Sequence, residues 1–178
     1  MASSSIQNTL EKIVSWVESL PEGTAWFTVD DNPSINLYNF DYIVDFEIKV
    51  YPLNRYSMPL TIQLSDNAIG FYLGDFKTAA RFINSRVPLE RSDFTCAGTE
   101  PITSIDDETI LRICDAVSSA KFEIIGSKVF GSLRAVYTKI EIEESRSLTY
   151  VIGESLCFIK LLSFLGIAKQ AKIPCQKW

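Results

Sequence analysis

Histidine is absent from the 178 residues. That absence removes Ser-His-Asp and Cys-His catalysis, histidine general bases and every histidine-containing zinc site. Cysteine is sparse. Cys96, Cys114, Cys157 and Cys175 are far apart, so the chain has no CxxC pair and no zinc-ligand spacing. Cys114 and Cys157 sit among apolar residues of helical pattern, where a thiol acts as a small buried hydrophobe. Long apolar runs are missing as well. Leu156 to Ile167 is the longest and carries Lys160, against the roughly 20 residues that a membrane-spanning helix needs. The opening MASSSIQNTLEKIVSW has no basic segment followed by an apolar run, so it reads as a helix and not as a secretory signal. A cytoplasmic location is expected. No glycine-rich phosphate loop occurs either: Gly126 to Gly131 reads GSKVFG, without the lysine placement of a P-loop.

What is present is an ordinary globular composition, 47% hydrophobic and 22% charged. Its mean hydropathy is +0.10. A single domain over 1–178 is expected. Acids outnumber bases 22 to 17, a net charge of −5, which argues against a nucleic-acid partner. The charge is polarised. Residues 1–50 hold eight acids and two bases, while residues 155–178 hold four lysines and no acid.

Hydrophobic spacing supplies the elements. Ile6, Leu10, Ile13, Val14, Val17 and Leu20 form one helical face, ended by Pro21 and Gly23. Ala25 to Val29 reads as a short strand. From Asp41 to Tyr51 the pattern alternates, with Tyr42, Val44, Phe46, Ile48 and Val50 inward and Asp41, Ile43, Asp45, Glu47 and Lys49 outward. Leu60 to Ser65 and Ile69 to Leu73 read as a hairpin. Asp75 is expected to cap a helix running to about Asn84, and 87–103 reads as an irregular loop. A further helix opens at Ser104-Ile-Asp-Asp with Ile110, Leu111, Cys114 and Val117 inward. Strands follow at Phe122–Ile125, Val129–Glu143 and Leu148–Ile152. A heavily apolar helix from Glu154 to Gly166 reads as a core element, followed by a basic tail over 167–178. The fold class expected is α+β: an antiparallel sheet of about six to eight strands, with helices on one face or at its ends.

Two groupings bear on chemistry. Asp45-Phe-Glu47-Ile-Lys49 has the Asp/Glu-x-Lys spacing of magnesium-dependent nucleases, with Asp30 and Asp31 upstream. The plainer reading is a solvated strand face. Glu141 and Glu143 likewise read as a solubilising rim. No metal, other cofactor or catalytic residue is expected. The acidic front of the chain, Asp30, Asp31, Asp41, Asp45 and Glu47, lies near Trp26 and Tyr38, a combination suited to gripping a cationic protein.

The expected function is therefore a non-catalytic, acidic protein-binding module, by analogy an immunity protein that covers a basic and possibly nucleolytic bacterial toxin domain. Contact with nucleic acid or membrane is not expected. The order helix, strands, helix, strands, helix over residues 4–166, with the low pI, also resembles the small acidic chaperones of type III secretion. That resemblance implies binding of a secreted effector. A magnesium-dependent nuclease is the remaining alternative.

Overall fold

A computed structural model describes residues 4–31, 33, 44–65, 68–74, 82, 96–98, 106–130, 132–143, 146–153 and 156–178. Helix α1 (Ser4–Glu18) buries Ile6, Leu10, Ile13 and Val17, the stripe its spacing dictates. Beyond its end, Gly23 takes a φ of 78°, a left-handed turn conformation favouring glycine, which sends the chain into β1 (Ala25–Asp30). Strands β2 (Phe46–Pro52), β3 (Leu60–Ser65), β4 (Ala68–Gly74) and β5 (Cys96–Gly98) complete a five-stranded antiparallel sheet in the order β1-β2-β3-β4-β5. The expected hairpin is present, with Ser65 opposite Ala68.

Helix α2 (Asp107–Ser118) opens at Asp106, whose carboxylate accepts the Thr109 amide at 2.7 Å. Strands β6 (Phe122–Val129), β7 (Ser132–Glu143) and β8 (Arg146–Gly153) follow, then helix α3 (Leu156–Phe164) and β9 (Ala168–Ile173). The second sheet is four-stranded, in the order β8-β7-β6-β9. The class is α+β, but with two antiparallel sheets where the sequence reading expected one. Helices also flank the second sheet on both faces. Ile124, Val136, Ile140 and Ile173 turn into the main core with α2, while Val129, Ala135 and Ala168 face Ile159 of α3.

The main buried cluster runs through both sheets, from Ile48, Leu60 and Phe71 through Ile13 and Ile113 to Ile124 and Ile140. Phe82, a helical residue, packs against it. The rest of the helix expected at Asp75–Asn84 lies outside the described residues, as does the 87–103 segment apart from β5. A second tie joins the halves. Trp178 tilts against Trp16 at 5.9 Å and donates its indole N–H to the Met58 carbonyl at 2.9 Å. The Trp178 amide donates to Ser118, and the Ser57 hydroxyl donates to the Lys177 carbonyl at 2.5 Å.

Four local expectations are corrected. The strand expected from Val129 begins at Ser132, because the chain turns at Phe130, which has a φ of 50°. The basic tail is in part strand β9, held by register from Val129–Ala168 to Ile124–Ile173. Cys157 is exposed, whereas Cys114 is buried and its thiol is pushed up by desolvation. Helix α3 is not a core element: Ile159 is buried, but Phe158, Leu161 and Phe164 are exposed.

Asp107 joins the two long helices. It accepts the Thr9 hydroxyl at 2.6 Å and the Lys12 ammonium at 2.5 Å. The Lys12 hydrogen bond, then that of Thr9, holds its carboxyl below the usual aspartate range. A depressed folded-state value contributes stability above the unfolded-state value, lost as the pH falls through the folded one. Both side chains are partly solvated, so Asp107→Asn is expected to cost under about 1 kcal/mol at neutral pH. Urea unfolding at about pH 7 and about pH 3 is the measurement, and the gap between variant and parent should shrink at the acid end.

Candidate functional site

Strand β1 is the edge of the first sheet and, among the described residues, pairs only with β2. Its side chains alternate. Phe27 packs against the core, while Trp26 and Asp30 point to the outer face with Tyr51 and Glu47 opposite them. The Trp26 and Tyr51 rings stack at 4.2 Å and 20°, yet Trp26 remains 45% exposed. A tryptophan held rigid on one side and open on the other has little rotamer freedom to lose when a partner covers it.

Where α1 hands over to β1 there is an open cleft of about 480 Å³. Val17, Leu20, Pro21, Ala25, Trp26 and Phe27 give it apolar walls, and Glu18 and Glu22 stand in its lining. Asp30 and Asp31, both exposed, lie at the far end of β1. Between Lys12 and Lys49 the sequence carries seven acids and no base. The cleft thus joins apolar walls, an anchored aromatic and the two carboxylates of Glu18 and Glu22.

The outer face behind this edge is polar and ordered. Glu47 is only 2% exposed. One of its oxygens meets Lys49 at 2.5 Å, and the other accepts the Gln63 amide at 2.6 Å. Gln63 in turn accepts the Tyr72 hydroxyl at 2.5 Å. Strand register makes this chain, since Glu47 stands opposite Gln63 and Gln63 opposite Gly70. Gly70 has a packing reason: a Cβ there would come within 3.1 Å of the Tyr72 ring. The hydrogen bond to Glu47 raises the Lys49 ammonium above its ordinary value, with Asp30 adding a smaller pull in the same direction.

The residues expected from sequence are thus dispersed in role. Trp26, Asp30 and Asp31 share the exposed edge. Asp45 is half-buried, and its amide bonds the Leu64 carbonyl. Glu47 has the expected outward orientation but is buried and fully engaged, so it is not a gripping carboxylate. Tyr38 and Asp41 lie outside the described residues. Glu18, Glu22 and Phe27 were not expected at the site; the helix stop at Pro21 and Gly23 was the signal that would have brought them beside Trp26. Among the described residues no group of three or more histidine, cysteine or acidic side chains is placed to hold a metal ion. No helix described is long and apolar enough to cross a membrane.

Comparison with family models, with curated proteins and with solved structures finds no match to this chain.

Proposed function

We propose that this protein is a non-catalytic binding module that covers a cationic protein, with the cleft and edge formed by α1 and β1 as its contact surface. The observation that carries the reading is the juxtaposition of Trp26, stacked and half-exposed, with Glu18, Glu22, Asp30 and Asp31 on one edge. A lysine or arginine of the partner fits such a cleft, its aliphatic stem on the apolar walls and its charge among the carboxylates. A basic toxin domain, neutralised by occlusion, is the partner class this surface suits best.

The test is whether the adjacent reading frame encodes a basic domain, and, where it does, rescue and binding with that domain. Trp26→Ala is expected to weaken the complex about thirtyfold, the usual loss for a tryptophan anchor. Neutralising Glu18, Glu22, Asp30 and Asp31 together is expected to slow association about tenfold and flatten its salt dependence. Affinity untouched by either change would overturn the surface assignment.

A magnesium-dependent nuclease has one observation in its favour. Register sets Asp30 opposite Glu47, with Lys49 two residues along. Against it, both Glu47 oxygens already have protein partners. Metal-dependent cleavage abolished by Glu47→Gln would favour that reading over binding.

A further inference from the structure

The opposite pole of the molecule carries a surface of the contrary character. Strands β6 and β7 are joined by two residues, and the first, Phe130, has a φ of 50°. That backbone region is costly for a bulky side chain and is ordinarily given to glycine, asparagine or aspartate. The ring is nevertheless 88% exposed. Val129 pairs with Ala168, so the end of α3 and its link to β9 lie at the same edge of the sheet as this turn. There Phe164 is 88% exposed, Leu165 57% and Leu161 55%. The solvent arc of α3 is thus apolar, interrupted by Lys160. The seat of α3 is thin: Ile159 is its buried anchor, and the Ser127 and Ser163 hydroxyls are buried without a hydrogen-bond partner.

Among the described residues the charges around this end are basic. Lys128 and Lys169 stand opposite each other in register directly behind the turn, and Arg134 and Lys160 are exposed nearby. Residues 126–137 and 155–171 contain no acid, and Glu154 is the one acid in the sequence between β8 and α3. A phenylalanine ring left almost wholly in water and a left-handed backbone at a bulky residue are both unfavourable. These features at one pole point to a ligand that relieves them.

We propose that this end docks onto an anionic lipid surface, with Phe130, Phe164 and Leu165 entering the acyl boundary and Lys160 and Lys169 at headgroup level. Helix α3, nine residues long, is too short to span and lies in the interface plane. The charge decides between occupants. A second copy meeting this patch across a two-fold axis would set its lysines against the same lysines, whereas an anionic bilayer supplies the opposite charge. The expectation that the chain has no membrane contact rested on α3 being buried in the core, and that premise fails here.

Flotation with vesicles of phosphatidylcholine containing about 30 mol% phosphatidylserine tests this directly. The protein is expected to float with these vesicles and to stay largely behind with pure phosphatidylcholine. Phe130→Asn with Phe164→Ser is expected to lower partition about a hundredfold. Asparagine suits the left-handed turn, so the fold should survive, and an unchanged thermal transition checks this. Lys160→Glu with Lys169→Glu should cost at least about tenfold and abolish the salt dependence. Three results would overturn the proposal: no binding to phosphatidylserine vesicles, binding indifferent to the phenylalanine pair, or a solution dimer that the same pair of substitutions dissolves.

Discussion

Glu47→Ala is expected to destabilise the protein by about 3 kcal/mol, one of the largest effects available outside the apolar core. The carboxylate is 2% exposed and divides its oxygens between Lys49 and Gln63. Removing it leaves the Gln63 amide, itself 7% exposed, with no acceptor, and frees Gln63 to drop the Tyr72 hydroxyl as well. Lys49 loses less, because about a third of its side chain already reaches water. Glu47→Gln preserves shape and one acceptor, so about 1 kcal/mol is expected there. Urea unfolding of the two variants measures the difference. Equal, negligible costs would mean that the network contributes nothing to the fold. Marked stabilisation of the parent by magnesium, lost in Glu47→Gln, would show instead that the carboxylate is a metal ligand.

Trp178→Ala is expected to cost a similar amount, about 3 kcal/mol, and to lower Tm by about 6 to 12 °C. The side chain packs on Trp16 of α1 and bonds Met58 ahead of β3, while its amide bonds the end of α2. One residue therefore touches elements that belong with both sheets. With the shared core through Ile13, Ile113 and Ile124, this makes a single cooperative transition the expected result for parent and variant alike. Calorimetry showing two resolved transitions would contradict the reading of residues 1–178 as one domain.

The parts of the fold legible in the sequence are those whose burial follows local periodicity. Helix α1 shows its face through Ile6, Leu10, Ile13 and Val17 because all four sit on one stripe. The β3–β4 hairpin is legible because Leu60, Ile62 and Leu64 alternate with polar residues and a short polar turn follows. Strand β9 is not legible. Ala168-Lys-Gln-Ala-Lys-Ile has low strand propensity, and its conformation comes from pairing with β6, whose residues lie 39 to 49 positions earlier in sequence. Separation into two sheets is equally non-local, since alternation reports which side chains point inward and not which strands become neighbours.

The site follows the same division. Alternation gives Glu47 and Lys49 their shared face, but treats that face as solvated. Burial of Glu47 depends on Gln63 and Tyr72, placed by register across three strands. For α3 the error runs the other way. A helix apolar around its circumference reads as core from sequence, whereas only the side bearing Ile159 and Leu162 packs, and Phe158, Leu161 and Phe164 meet solvent. Trp26, Asp30 and Asp31 were legible as a group because Trp26 and Asp30 share a six-residue strand and Asp31 follows it directly. Glu18 and Glu22 join them only through the turn after α1.

Hydrogen exchange on the complex with the cationic partner bears most directly on the central claim. Slowed exchange over residues 17–31, covering the cleft and strand β1, is the expected footprint. Unchanged exchange there, with protection confined to residues 124–178, would contradict the claim that this protein works through its acidic, tryptophan-bearing edge.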